Sequence, residues 1–196
     1  MLLQLIRKNN VVTRLYLGLL EKTWVNEKVQ RILPFLQKSE RILDIGAGNG
    51  LLANQLIKQG YQVTPVDVAN LAIPESIKVV VYDGKKLPFD HQSHDTGLLL
   101  TVLHHTQNPV EVLKEVARVV KKVIIIEDVY RNSVQKYLTF AMDTLVNFGH
   151  SQMTYQNRST EEWKAIFREL GLELKQHREK RVLFFFRQAT FVVENP

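Results

Sequence analysis

The sequence predicts an α/β protein built on an open, mostly parallel sheet. Three observations predict it. Short apolar runs alternate with runs of helical spacing from Arg41 to Ile126. One run, Asp95 to Leu100, is apolar enough for a strand covered on both faces. A glycine-rich turn, Gly46 to Gly50, joins the first strand to the helix behind it.

The elements follow in order. Val11 to Leu36 has helical spacing and is bent or ended by Pro34. Arg41 to Ile45 is a short buried strand, and Leu51 to Lys58 is a helix stopped by Gly60. Tyr61 to Val68 is the next strand. The helix expected after it shrinks to a stub, "ANLAIPES", which holds Pro74. Lys78 to Tyr82 and Asp95 to Leu100 are strands, Val110 to Val120 a helix, and Val123 to Ile126 a fifth strand. Val134 to Phe148 reads as a long apolar helix. Ser159 and Glu162 form a capping box that opens a helix over Glu161 to Leu170, closed by Gly171. Leu172 to His177 and Arg181 to Phe186 end the chain as strands, with Phe191 to Val193 extending the last.

The 196 residues, 45% of them apolar, suffice for one domain with a real core. There is no cysteine, so disulfides and thiolate metal sites are excluded, in keeping with a cytoplasmic location. The net charge of +6 is spread along the chain, which favours scattered solvated lysines over a nucleic-acid patch. No apolar run approaches the roughly 18 residues of a membrane span. The apolar, basic start is broken by Arg7, Lys8 and Arg14 and lacks a small-residue cleavage site. It is expected to be structure rather than a signal peptide.

A strand, a glycine turn and a helix start form a cradle of backbone N–H groups at the carboxyl edge of a sheet, where ligands bind. The pattern is Asp44-x-Gly46-x-Gly48-x-Gly50. Leu51 occupies the third glycine slot of the dinucleotide fingerprint, and the Lys-Ser/Thr of a phosphate-binding loop is missing. Asp67 ends the second strand where a carboxylate would accept from ribose hydroxyls. Asp83-Gly84 ends the third, where a second carboxylate would accept from an exocyclic amino group. Each acid alone is equally an ordinary turn or cap residue; their shared register at strand ends is the signal.

The segments "RILDIGAGNG", "VDV", "YDGKKLPF" and "HDTGLLLTVLHHTQNPVEVLKEVARVV" together resemble a class I S-adenosylmethionine-dependent methyltransferase of the small type 11 family. Later segments, "MDTLVNFGH" and "STEEWKAIFRELGL", are similar to a cap and a helix of some members. The resemblance implies a Rossmann-like three-layer sandwich, its seven-stranded sheet mostly parallel with the last strand antiparallel. It implies a single domain over residues 1–196: N-terminal helices to 38, a cofactor-binding core over 39–128, a cap or acceptor region over 129–160, and a terminal helix and strands. Asp44 would support the loop and the methionine end of S-adenosylmethionine. Gly46 and Gly48 would admit the cofactor, with Gly50 opening the helix. Asp67, with Val68 beside it, would hold the ribose, Asp83 and Gly84 the adenine. Leu99, Leu100 and Thr101 would meet the methionine portion through backbone, and His105 would be mostly structural. The product would be S-adenosylhomocysteine, and no metal is expected.

Three departures from the family pattern stand out. Pro65 sits inside an interior strand, where a bulge beside Asp67 is expected. The stub after Asp67 is expected to leave one adenine face open. Lys121-Lys122 replaces the usual glycine turn before the fifth strand.

Methyl transfer from a sulfonium is an in-line displacement, so alignment and water exclusion matter most. A general base is needed only for an acceptor that must lose a proton. His104 is one candidate, against a packing role. Asp143, Asn147 and His150 share one face of the cap helix, against a merely solvated face. His91 and His94 have a metal-like spacing but lie in a loop without further ligands. Tyr137, Phe140, Met142, Phe148, Met153 and Tyr155 suggest an apolar or aromatic small-molecule acceptor. The basic apolar N-terminus keeps contact with a membrane surface open. Nucleic acid is not the expected partner: an RNA methyltransferase rests on charge alone, without an Asn-Pro-Pro-Tyr signature. A non-catalytic binding protein on the same fold is the other alternative.

Overall fold

The computed structural model describes residues 24–131, 135, 137, 157–182 and 186–195. Its sheet has seven strands: β1 (Arg41–Ile45), β2 (Gln62–Asp67), β3 (Val80–Val81), β4 (His94–Leu100), β5 (Val120–Val129), β6 (Glu173–Val182) and β7 (Phe186–Glu194). Their order is β3-β2-β1-β4-β5-β7-β6. Neighbours from β3 to β5 pair in parallel, and β7 runs antiparallel to both β5 and β6.

Helices cover both faces: α1 (Asn26–Ile32), α2 (Leu51–Lys58), α3 (Pro109–Val119) and α4 (Thr160–Glu169). Successive residues of the buried strands point to opposite faces. On β5, Ile124 and Ile126 join Val29, Ile32 and Leu56 beneath α1 and α2. Val123 and Ile125 join Val116, Val119, Trp163 and Phe167 beneath α3 and α4. This is the predicted three-layer sandwich.

Local signals account for most boundaries. A 3₁₀ turn, Leu33–Phe35, carries Pro34 and ends the first described helix. Asn108 caps α3 by accepting from Glu111 N, and the Ser159/Glu162 capping box on α4 is complete.

Several expectations are revised. Pro65 causes no bulge: β1 and β2 stay in register from Arg41↔Gln62 to Ile45↔Val66. The reason is geometric. Val66 turns its carbonyl toward β1 and Asp67 turns its carbonyl toward β3, so the Pro65 nitrogen faces the β3 side. Pairing with β3 begins only at Val66↔Val80, so no ladder bond is lost there. Lys121 and Lys122 do not replace a turn, because α3 runs directly into β5. The terminal strands are longer than expected, β6 running to Val182 and β7 starting at Phe186; residues 183–185 lie outside the described residues. The cap segment with Asp143, Asn147 and His150 also lies outside them. Among the described residues, no helix is long and apolar enough to cross a membrane.

Candidate functional site

The turn after β1 is tied to the end of β2. Gly46 and Ala47 N–H both donate to the Val66 carbonyl, at 2.9 and 3.2 Å. Gly48 N–H donates to Asp67 Oδ2 at 2.8 Å, and Gly50 N–H to the Ala47 carbonyl at 2.9 Å. These amides are therefore spent inside the protein, which corrects the expectation of a cradle of backbone N–H groups open to a ligand. The glycines serve sterically instead. Gly46 has φ +74°, and a Cβ there would lie 2.6 Å from Val102 Cγ2. Ala72 and Ile77, from the stub after Asp67, pack against Gly50.

Asp67 Oδ1 accepts from Val68 N–H at 2.6 Å, so the carboxylate faces the turn and its own strand end together. Asp83 is exposed. Its Oδ1 accepts from Lys85 and Lys86 N–H at 2.8 and 2.9 Å, and these bonds, Lys86 first, hold its pKa below the usual carboxylate value. With no full helix over this end, Val68, Leu71 and Val81 stay exposed.

The end of β4 is built differently. Thr101 has φ +62°, a rare conformation for a β-branched residue. Beyond it, Glu127 on β5 is fully buried, and its Oε1 accepts from Val102 and Leu103 N–H at 2.9 and 2.8 Å. Its Oε2 lies 2.5 Å from His104 Nδ1. His104 is thus only 3% exposed and engaged with a buried carboxylate, whereas His105 lines the cleft. Adjacent residues of a 3₁₀ turn point in different directions, which is why the pair divides this way.

Beneath the turn, Asp44 is 4% exposed, and its Oδ2 has no hydrogen-bond partner among the described residues. Burial raises its pKa to about 7, opposed by the Lys28 ammonium and reinforced by Asp67. Lys28, on α1, donates to Thr101 Oγ1 at 2.7 Å and to the Leu100 carbonyl at 3.3 Å. Burial lowers its pKa, opposed by Asp128, Glu127 and Asp44.

These strand ends open on one cleft of about 1050 Å³. Gly46, Asp67, Val68, Asp83, Gly84 and Thr101 line it together. Asp44, Gly48, Gly50, Leu100 and His104 do not line it; all but Gly50 lie in the chain within two residues of one that does. Sequence reasoning passed over Lys28, Val102 and Glu127. Only Glu127 carried a signal, as an acid ending the apolar run "VIIIE". Among the described residues no cluster of His, Asp and Glu is arranged to hold a metal ion.

A crossover sheet with a glycine turn, and acids at or just past its strand ends, is a Rossmann-like architecture, in which ligands bind at the carboxyl edge. Residues 43–125 match the family profile described as a methyltransferase domain. An uncharacterized methyltransferase of Mycobacterium tuberculosis is 30% identical over 102 residues, which are 48% of this chain and 40% of that protein. The ubiquinone biosynthesis O-methyltransferase of Vibrio cholerae is 26% identical over 93 residues, 42% of this chain and 38% of that one. The matched stretch thus spans about two fifths of these relatives' length. Among solved structures, the methyltransferase bound to the Haloferax volcanii Trm112 methyltransferase activator superposes with TM-score 0.70 at 17% identity, over 91% of this chain and 92% of that one. Magnesium protoporphyrin IX methyltransferase of Synechocystis, with S-adenosylhomocysteine bound, gives 0.64 at 16% identity, over 95% and 88%. Residues 43–125 of this chain are thus similar to a methyltransferase domain, and the fold around them is similar to that of solved methyltransferases.

Proposed function

We propose that the protein transfers a methyl group from S-adenosylmethionine to a small apolar or aromatic acceptor. One observation carries the reading. The Gly48 N–H to Asp67 Oδ2 bond brings the glycine turn and the second-strand carboxylate to one cleft, which Asp83 also lines.

The residues fit this cofactor. It has no phosphate, so a turn whose amides are already paired suits it. Asp44, buried at the end of β1 before the same turn and with Oδ2 unpartnered among the described residues, would support a cationic amino-acid end. In this reading Asp67 and Val68 hold the ribose, Asp83 and Gly84 flank the adenine, and Leu100 and Thr101 present backbone to the methionine portion. The cofactor supplies an activated methyl on sulfur. The chain's contribution is to align it and to exclude water. His104, held by Glu127, positions the loop after β4. His150 is proposed as the proton acceptor where the methyl acceptor carries a proton.

The acceptor class is supported by the Tyr-, Phe- and Met-rich stretch over 137–155 and by the relationship to an enzyme of ubiquinone biosynthesis. Calorimetry with S-adenosylhomocysteine tests the cofactor reading. The unaltered protein is expected to bind, and Asp67→Ala to bind more weakly by about 1.5–3 kcal/mol, as for lost bonds to a charged group. Equal affinity in the two proteins would refute the ribose assignment. Turnover of a labelled methyl donor with quinol-like and phenolic compounds tests the acceptor, and transfer to RNA alone would overturn it.

A further inference from the structure

Thr101 stands out because its backbone is strained and its surroundings hold it so. A β-branched residue at φ +62° costs about 1–3 kcal/mol and persists only where the structure over-determines it. Three bonds do so here. Thr101 N–H donates to the Ile126 carbonyl at 2.6 Å. Thr101 Oγ1 donates to the Leu100 carbonyl at 2.5 Å and accepts from Lys28 Nζ at 2.7 Å. The first two come from the sheet itself. The third comes from α1, 73 residues away in sequence.

We propose that Lys28 is a positioning residue for the amino-acid end of the methyl donor, acting through Thr101; this rests on the cofactor reading above. Its ammonium touches both Thr101 Oγ1 and the Leu100 carbonyl, so it sets the direction of the last peptide of β4, where the cleft begins. It also places a positive charge among Asp44, Glu127 and Asp128, the acids gathered at the carboxyl ends of β1 and β5. Helix α1 docks on the sheet through Val29 and Ile32, so the lysine is carried by a packed element and not by a loop. The effect falls on the methionine portion alone, because Asp67 ends β2 and Asp83 lies two residues past β3, both strands being beyond β1 from β4.

Two ligands separate that portion from the nucleoside: S-adenosylhomocysteine, and 5′-methylthioadenosine, which lacks the amino-acid group. Lys28→Met is expected to weaken S-adenosylhomocysteine roughly tenfold or more while leaving 5′-methylthioadenosine within about twofold, and Lys28→Arg to recover most of the loss. Equal losses for both ligands, or no loss for either, would overturn the assignment. Thr101→Gly provides an independent reading should Lys28→Met fail to fold, since glycine accepts this φ but lacks Oγ1. It is expected to show the same selective loss, and full retention of S-adenosylhomocysteine affinity would overturn the proposal. Failure of the unaltered protein to bind either ligand would instead remove the cofactor reading on which the assignment rests.

Discussion

The two ends of the sheet carry the same kinds of residue and use them in opposite ways. At the amino end, a recess of about 530 Å³ is lined by Glu40, Asp95, Lys121 and Lys122. Every one of these charges is paired. Asp95 meets Arg41 at 3.2 Å and Lys121 at 2.9 Å, and Glu40 meets Lys122 at 2.8 Å. The Arg41 bonds and then Lys121 hold the Asp95 pKa well below its ordinary value. At the carboxyl end, Asp44 is buried with one oxygen unpartnered among the described residues and its pKa raised to about 7, and Thr101 is strained. Charge placed for stability is neutralised locally. A buried acid with a raised pKa and a strained backbone beside a cleft are features that concentrate at functional sites.

Substitutions at each end sharpen that contrast. The largest effect is expected from Gly46→Ala. A left-handed backbone costs a non-glycine residue about 1–2 kcal/mol. The collision with Val102 adds about 1–3 kcal/mol. A melting temperature lowered by roughly 5–15 °C, with ligand binding lost, is the expected result.

Asp44→Asn comes next. The folded Asp44 titrates near 7 and the unfolded one near 3.8, so between these values only the folded state holds the proton. Stability due to this group therefore falls as pH rises from about 4 to about 7, by at most about 4 kcal/mol. The asparagine variant should lose that slope in chemical denaturation run across this range, and should be the more stable protein above pH 7. An unchanged slope would show that another group titrates. Asp67→Ala, at about 1.5–3 kcal/mol of ligand affinity, ranks third; because it also leaves the Gly48 and Val68 N–H groups without their acceptor, the free protein is expected to melt a few degrees lower.

Asp95→Ala is the smallest. Partly exposed ion pairs contribute about 0.2–1 kcal/mol each. A loss of about 2–4 °C, reduced in about 1 M salt, with cofactor affinity unaffected, is expected. A large loss of binding in this variant would erase the distinction between the two ends.

Much of the site was legible because its residues sit at strand ends that apolar periodicity reveals. Gly46, Asp67, Asp83 and Gly84 follow directly from "LDIGAG", "PVDV" and "VYDG". The role of the turn was misjudged for a physical reason: amide direction depends on which strand lies alongside, and β2 takes the N–H groups of Gly46 and Ala47. The same holds for Pro65, harmless only because β3 is two residues long.

Local sequence thus determined the alternation of strands and helices, the glycine turn, both helix caps and the acids at the strand ends, since each depends on residues within a few positions of one another. The tertiary structure alone decided that β7 enters between β5 and β6, that His104 is buried on Glu127 while His105 faces the cleft, and that Lys28 reaches Thr101. Those contacts join residues 23 and 73 positions apart, or strands whose neighbours are chosen by packing. Chain-local propensity carries no information about which distant group will complete a buried hydrogen bond.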